Sequence, residues 1–389
     1  MNDDAPNWKL WPWPFFEDRH HQLAERVRAW NAANHGQAHA SMHDECRALV
    51  RSFGQAGLLD YVVPPGDTGF DVRSVCLIRE GLTFQHALAD AMFAMQGIGT
   101  LALRRFGSPA LCARYLEPCR RGERIAAFAL TEPATGSDVA SMTTEARREG
   151  DHYVLNGDKT LISNAGIADH YLVVARTGEA QGARGLSMFI VDAGTPGLEV
   201  GAPIDFIAPH PAAPIAFRQC RVPAANLVGE PGQGFKAAMA AFDIFRPSVG
   251  GAAVGLARRA LAETLRHTGW RQLFGKPMTA LDGVQMALAD MATDIEGAAL
   301  LVYRAAWSHD VLGERGAYQA CMGKLAGSEA AGRVVDRAVQ LLGGRGVTQG
   351  HIVEQLYREA RPMRIYEGAS EIQKLVIARG LIQGGGWYA

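Results

Sequence analysis

The chain has 389 residues, 48% of them hydrophobic, enough for two or three domains with sizeable cores. Its 39 basic and 40 acidic residues leave a formal net charge of −1, so no global field draws it to phosphate backbones or anionic lipid, which argues against nucleic acid and membrane as partners. The six cysteines, Cys46, Cys76, Cys112, Cys119, Cys220 and Cys321, show no CxxC or Cys/His ligand spacing, as expected of small core residues in a reducing compartment and not of a zinc site.

The N-terminus, MNDD, lacks a basic region followed by an apolar one, and no apolar run reaches the roughly 18 residues that a membrane span needs, which predicts a cytoplasmic protein. Trp8, Trp11, Trp13, Phe15 and Phe16, interrupted by Pro12 and Pro14, have no helical period; such a segment is expected to pack onto its own protein or a subunit rather than anchor in a membrane interface. From about residue 17 to 125 apolar residues recur at helical spacing: Leu23, Val27 and Trp30, then Cys46, Leu49 and Val50, then the run over 88–103. Gly97-Ile-Gly-Thr-Leu-Ala102 matches a loose GxGxxA fingerprint, but no strand precedes it, so it is not read as a dinucleotide site.

Near residue 126 the texture changes. Asn156-Gly157 lies between Tyr153-Val154-Leu155 and an apolar stretch over 159–162, a strong hairpin signal because a type I′ turn needs φ > 0 at both positions. Further strands are predicted at 171–175, 186–192, 198–200 and 215–221, and short strands without helices between them predict an antiparallel barrel or sandwich. After Gly229-Glu-Pro-Gly-Gln-Gly234 the helical texture returns, with Leu288, Met291, Ile295, Ala298 and Val302 on one face and Val334, Ala338 and Leu341 on another. The predicted organisation is a helical domain over 1–125, a β domain over 126–229 and a helical domain over 230–389. Strands and helices do not alternate, which disfavours a doubly wound parallel sheet.

Four segments can carry chemistry. Phe128-Ala-Leu-Thr-Glu-Pro-Ala-Thr-Gly-Ser-Asp138 can present backbone N–H groups and the Thr131 or Ser137 hydroxyl to a polar ligand; a decorated linker explains the same residues equally well. Gly343-Gly344-Arg345-Gly346, after Gln340, admits a close backbone or a phosphate, or is a plain C-cap. Arg271, three residues before Phe274, can ion-pair a phosphate while the ring stacks on a base, or is a solvated charge beside a buried ring. The fourth segment, RIYEGASEIQ over 364–373, holds two glutamates with different prospects. Ser370 and Gln373, before Ile372, Leu375 and Val376, read as a capping box with Ser370 as N-cap and Glu371 as the first helical residue, its charge meeting the helix dipole. Glu367 has no helical partner; in a turn among Ile365, Tyr366 and Ile372, burial would raise its pKa toward that of a general base, and exposure would leave it an ordinary surface carboxylate.

Together these segments resemble the acyl-CoA dehydrogenase family. Residues 128–138 look like its TEPxxGSD segment, and Arg271-x-x-Phe274-Gly275-Lys276-Pro277, Gln340-x-x-Gly343-Gly344 and Ile365-Tyr366-Glu367-Gly368 follow in the family's order, over about residues 17 to 383. The resemblance implies a multidomain α and β fold: an N-terminal helical domain, a middle antiparallel β-barrel domain and a C-terminal four-helix bundle domain. It implies a homotetramer, with a dimer as the other assembly, and non-covalent FAD. By the same resemblance Phe128, Leu130 and Thr131 edge the isoalloxazine, Ser163 lies beside N5 with Gly136 and Leu161 in the same cofactor site, and Ser137 reaches both cofactor and CoA. Arg271 and Phe274 of one subunit, with Gln340, Gly343 and Gly344 of another, hold the adenosine diphosphate part, and Ala369 and Glu371 touch the flavin. Asp243 and Arg246 match positions at which the family contacts CoA or supports the base, Gly368 contacts substrate, and Met95 and Gln96 wall the acyl pocket. Glu367 removes the α-proton of an acyl-CoA thioester while the β-hydrogen passes to flavin N5, and electrons go on to an electron-transfer flavoprotein.

The chain departs from the family pattern in places. Some members carry the base on an earlier helix, where this chain has Phe245. Leu161 stands where a tryptophan is common, leaving one flavin face less covered, and Ala369 where a threonine is usual. Ile207-Ala-Pro-His-Pro211 replaces a Gly, Arg and Ser sequence, so that His210 either touches substrate or serves the loop. The competing readings are a flavin oxidase or monooxygenase on the same fold, disfavoured by Glu367, and a non-enzymatic acyl-thioester binding protein.

Overall fold

The computed structural model describes residues 8–34, 36–313 and 317–383, which fold as two compact units. One holds the described residues of 1–37, 71–90 and 243–389, the other 38–70 and 91–242. In chain order the helices are α1 (Asp18–Asn34), α2 (Met42–Gln55), α3 (Val72–Gln85), α4 (Ala87–Phe106), α5 (Pro109–Arg120), α6 (Gly234–Trp270), α7 (Asp282–Val311), α8 (Ala317–Leu342), α9 (Ile352–Met363) and α10 (Ser370–Ile382). The strands are β1 (Ala126–Ala129), β2 (Glu145–Glu149), β3 (His152–Ser163), β4 (His170–Arg176), β5 (Leu186–Asp192), β6 (Leu198–Val200), β7 (Ala212–Pro223), β8 (Gln272–Leu273) and β9 (Lys276–Pro277). The helix, β, helix order follows the hydrophobic periodicity of the chain. Among the described residues no helix is long and apolar enough to cross a membrane.

In the first unit α3 is buried on every side from Val72 to Phe84, as a helix at the centre of a bundle must be. Helix α6 reaches it through glycine: a Cβ on Gly255 would lie 2.1 Å from the Glu80 carbonyl oxygen, so no larger residue lets these backbones approach. The charges on α3 are all engaged. Asp310 of α7 accepts from the Val72 and Arg73 N–H groups at 2.9 Å and so caps α3 from outside. Buried Glu80 accepts from Trp8 Nε1 at 3.0 Å and from the Tyr303 hydroxyl at 2.6 Å, and pairs with Arg258 at 3.1 Å. The aromatic N-terminal segment therefore packs onto its own chain: Trp8 is 3% exposed, and Trp13 and Phe16 meet Tyr303 edge-on.

The second unit carries one curled, half-barrel sheet in the order β1-β4-β2-β3-β7-β6, with β5 also on β4. Most neighbours are antiparallel, but β1 and β2 share one edge of β4 end to end in parallel, Ala126 opposite His170 and Glu145 opposite Arg176. The hairpin expected at Asn156-Gly157 is absent: β3 runs through it, and the turn from β2 falls at Gly150, φ 62°. Gly157, φ 145°, sits instead at a register shift against β7, where a Cβ would come within 2.7 Å of Thr144 Cα. Its freedom serves a bulge, not a turn. Of the six cysteines, five are buried and Cys112 is half-buried.

Trp8→Ala empties a buried aromatic site and removes a donor from Glu80. It is expected to lower the unfolding free energy by about 3–5 kcal/mol in a denaturant titration.

Candidate active site

In the first unit, residues 364–369 link α9 to α10, and the Ser370 N–H closes the loop on the Arg364 carbonyl at 3.1 Å. Glu329 of α8 anchors it, accepting from the Ser370 hydroxyl at 2.6 Å and from Arg364 Nε at 3.0 Å. Ser370 is therefore not the N-cap: α10 begins at Ser370, Ala369 occupies the cap position without a side-chain bond, and the serine hydroxyl is taken by a carboxylate, a stronger acceptor site than a helix N–H is a donor. Gln373 completes no capping box either. It is fully buried, and its Nε2 donates to the carbonyls of Gly368 at 2.9 Å and Glu367 at 3.2 Å. Glu371 is exposed in the first turn of α10, where its charge suits the helix dipole.

Glu367 has φ 51°, the left-handed region that costs a non-glycine residue roughly 1–3 kcal/mol and persists only where its surroundings over-determine it. Gly368, φ 92°, follows, and its carbonyl also accepts from Lys324 Nζ at 2.8 Å. Ile365 is 58% and Tyr366 38% exposed and Ile372 is half-buried, so part of the carboxyl's enclosure falls to charged side chains from the helices. Arg79 Nη1 of α3 lies 4.0 Å from Glu367 Oε1, yet that guanidinium is already bound to both Asp90 oxygens, at 2.8 and 2.9 Å, and to the Ser248 hydroxyl at 2.9 Å. Glu367 Oε2 is buried with no hydrogen-bond partner, and no described group accepts from the Glu367 N–H. Desolvation raises the Glu367 pKa above its ordinary 4.5; Arg79, Lys324 and Arg246 restrain the rise and Asp90 adds to it. Burial pushes Lys324 down to about 8, against the pull of Glu367 and Glu329. Nearby, Asp243 is exposed with its carboxylate 3.8 Å from Arg246 Nη1, and Phe245 is wholly buried.

On other faces of this unit, Phe274 and Gly275 form the two-residue turn between β8 and β9 at φ 54° and 77°, the positive-φ pair that the sequence suggested for 156–157. Phe274 is 91% exposed, so the ring is not a buried neighbour of Arg271. Gln340 is exposed near the end of α8, and Gly343 and Gly344 have nothing within 4 Å of an added Cβ.

In the second unit the 128–138 segment lies along β3. Lys159 Nζ donates to the Leu130 carbonyl at 3.1 Å, the Thr160 N–H to the Thr131 carbonyl at 3.0 Å, and Asn164 Nδ2 to the Ala126 carbonyl at 2.9 Å. Phe128, Leu130, Thr131 and Ser163 are thereby held on adjoining stretches, with Leu161, φ 58°, half-exposed beside them. Buried Glu132 pairs with Lys159 at 2.9 Å and accepts from the Thr143 and Thr144 N–H groups at 2.7 and 2.9 Å. Burial opposes the Glu132 charge, but these bonds outweigh it and hold the carboxyl down to about 2; burial takes Lys159 down to about 8, so both stay charged at pH 7. The Leu130 and Thr131 carbonyls are occupied while hydroxyl donors of the segment are left over. Thr131 and Ser137 hydroxyls have no partner among the described residues, and Thr135 Oγ1 is buried without one. Such a donor set fits the acceptor edge of a flavin ring. Gly136 is exposed in the same loop.

Gln96 offers no free polar group to an acyl pocket. It is fully buried, its Nε2 donating to the Cys119 and Arg124 carbonyls and its Oε1 accepting from the Ala126 N–H, so it ties α5 to β1; Met95 beside it is half-buried.

Models of three acyl-CoA dehydrogenase domains match the chain, the N-terminal domain over residues 17–123, the middle domain over 127–220 and the C-terminal domain over 232–382. The chain belongs to the acyl-CoA dehydrogenase family. It is similar to cyclohex-1-ene-1-carbonyl-CoA dehydrogenase of Syntrophus aciditrophicus, 40% identical over 337 residues that cover 85% of this chain and 81% of the relative. Among solved structures it is similar to butyryl-CoA dehydrogenase of Megasphaera elsdenii, with TM-score 0.86, 30% identity and coverage of 94% and 99%. It is also similar to an FAD complex of PigA, with TM-score 0.86, 27% identity and coverage of 95% and 99%. The protein is an oxidoreductase, an acyl-CoA dehydrogenase of a flavoprotein family.

Arg79, Asp90, Ser248 and Lys324 around Glu367, and Lys159 behind the 128–138 segment, were not readable as site residues. The one available signal is a charge inside an otherwise apolar helix or strand. Glu132→Gln leaves Lys159 buried beside a neutral partner and is expected to cost about 3–5 kcal/mol in chemical unfolding, much of it recovered in Glu132→Gln/Lys159→Met.

Proposed function

We propose that Glu367 is the base that removes the α-proton of an acyl-CoA thioester, giving the trans-2-enoyl thioester. One observation carries the reading: the Glu367 carboxyl is held at positive φ in a desolvated pocket with Oε2 unpartnered, its nearest cation already bound to Asp90. An α C–H is a weak acid, so its base must be more basic than an exposed carboxylate yet still ionised at working pH. Desolvation supplies the first property, and the fields of Arg79, Lys324 and Arg246 preserve the second. The unengaged Glu367 N–H is suited to polarise the thioester carbonyl, which needs a donor as charge develops on its oxygen.

FAD, when bound, supplies the acceptor for the β-hydrogen. Phe128, Leu130, Thr131, Gly136, Ser137, Leu161 and Ser163, with Ala369 and Glu371, would hold its ring and ribityl part. Arg271 and Phe274, with Gln340, Gly343 and Gly344 of a second copy, would hold the adenosine diphosphate; an aromatic ring 91% exposed on a tight turn supports such a role. Asp243, Arg246, Ser137 and Gly368 would meet the acyl-CoA, with an electron-transfer flavoprotein taking the electrons and a homotetramer as the assembly. The domains would divide near residues 125 and 229. A second reading, oxygen as acceptor, is favoured only by the 50% exposure of Leu161. Stoichiometric peroxide during turnover would establish it.

Glu367→Gln is expected to retain yellow flavin but lose anaerobic bleaching by acyl-CoA more than roughly a hundredfold in rate; near-normal bleaching would sink the assignment. The pH profile gives an independent check. The base works ionised, so kcat/KM should fall as pH drops through a pKa above the ordinary 4.5. In Lys324→Met the loss of a cation that lowers this pKa should move the acid limb upward; a limb left in place would mean that Lys324 exerts no field on the base.

A further inference from the structure

Ser163 is paired in the second unit with His210, for which the reaction so far has no use. Ser163 ends β3 opposite Ala212 of β7, and the Asn164 N–H donates to the Pro211 carbonyl at 2.7 Å, so the two strands are locked on either side of the contact. His210, two residues before Ala212, places its Nε2 2.7 Å from Ser163 Oγ, and its ring stands edge-on to Phe206 at 5.9 Å. Burial pushes His210 down to about 4, so at pH 7 the imidazole is neutral, with one donor and one acceptor nitrogen. No carboxylate among the described residues pairs with it, which removes the third member that an activated serine nucleophile needs.

We propose that His210 is a positioning residue for Ser163, letting the serine hydroxyl donate to the cofactor in one redox state and accept from it in the other. The inference rests on the reading that Ser163 meets flavin N5. That nitrogen offers a lone pair in the oxidised ring system and carries a hydrogen in the reduced one. When Ser163 accepts from N5–H, its own O–H needs an acceptor, and His210 Nε2 supplies it. When Ser163 donates to N5, the other tautomer of His210 donates to Ser163 Oγ from Nε2. The exchange moves a proton off one ring nitrogen as the other gains one from solvent, so the charge of the pair is unchanged. A Phe at position 210 satisfies neither arrangement, and it harms the reduced form more, because an orphaned O–H donor costs more than a spare lone pair on oxygen.

The test is the midpoint potential of bound FAD in wild type, His210→Phe, His210→Gln, Ser163→Ala and Ser163→Ala/His210→Phe, with FAD affinity and unfolding midpoint measured alongside. His210→Phe is expected to bind FAD and to lower the potential by about 30 mV, the two-electron equivalent of a roughly tenfold loss in stabilisation of the reduced form. His210→Ala carries the same expectation and replaces it if the Phe variant does not fold. The Gln amide also offers a donor and an acceptor and should stay within about 10 mV of wild type, about a twofold change. The double variant should match Ser163→Ala alone, because His210 acts through the hydroxyl. Equal potentials in wild type and His210→Phe overturn the inference while leaving the cofactor reading intact, as does a His210→Phe shift that persists undiminished without Ser163. A wild type that takes up no FAD, or a Ser163→Ala variant with unchanged potential, overturns the cofactor reading and the inference with it.

Discussion

The Glu367 carboxyl is poorly solvated without being neutralised by an ion pair, and the charged groups of the first unit are arranged around that constraint. Arg79 has the geometry to pair with it, but Asp90 holds the guanidinium by two charge-assisted bonds and Ser248 takes a third. What reaches Glu367 is the remaining field across 4.0 Å, and Lys324 contributes similarly while bonded to the Gly368 carbonyl. An Arg79 released from Asp90 would be free to form the bidentate pair that abolishes basicity. The partner that never touches Glu367 thus decides what Glu367 can do.

Such an arrangement tolerates little sliding, because a buried charge whose partner moves away costs several kcal/mol. Arg79 and Glu80 are adjacent on α3, so whatever fixes one fixes the other. The close approach of Gly255 to the Glu80 carbonyl fixes the distance between α6 and α3. Asp310 holds the start of α3, and Trp8, Tyr303 and Arg258 surround the Glu80 carboxylate. The aromatic N-terminal segment, remote in sequence from Glu367, in this way supports the helix that carries Arg79.

The helices and most strands were legible from their apolar texture, and β4 to β7 fall on the predicted stretches; a one-faced period does not describe α3 or α6, buried on every side over 72–84 and 244–257. Local grammar failed at two places for the same reason. Asn156-Gly157 and Ser370-x-x-Gln373 are turn and cap patterns in isolation, but Thr144 behind Gly157 and Glu329 beneath Ser370 are tertiary partners that claim the residues for other tasks. The resemblance of motifs singled out Glu367 and the 128–138 segment, yet not the tertiary partners that hold them. Lys159 meets Glu132 across 27 residues, and Lys324 meets Gly368 across 44, separations at which no spacing rule operates. Gln96, read as a pocket wall, is hidden from any ligand by backbone bonds that a periodicity analysis does not contain.

The two glutamates of RIYEGASEIQ follow from one loop. Gln373 is fully buried and draws the Glu367 and Gly368 carbonyls toward itself, while Lys324 takes the Gly368 carbonyl from α8. With both carbonyls tied down, the backbone at Glu367 is held at positive φ, and its N–H has no acceptor among the described residues. Ser370, pulled to Glu329, starts α10 one residue earlier than a serine cap would, which leaves Glu371 in the exposed first turn. The same set of bonds thereby holds Glu367 in a desolvated pocket and releases Glu371 to water, so residues four apart with identical side chains end in opposite surroundings.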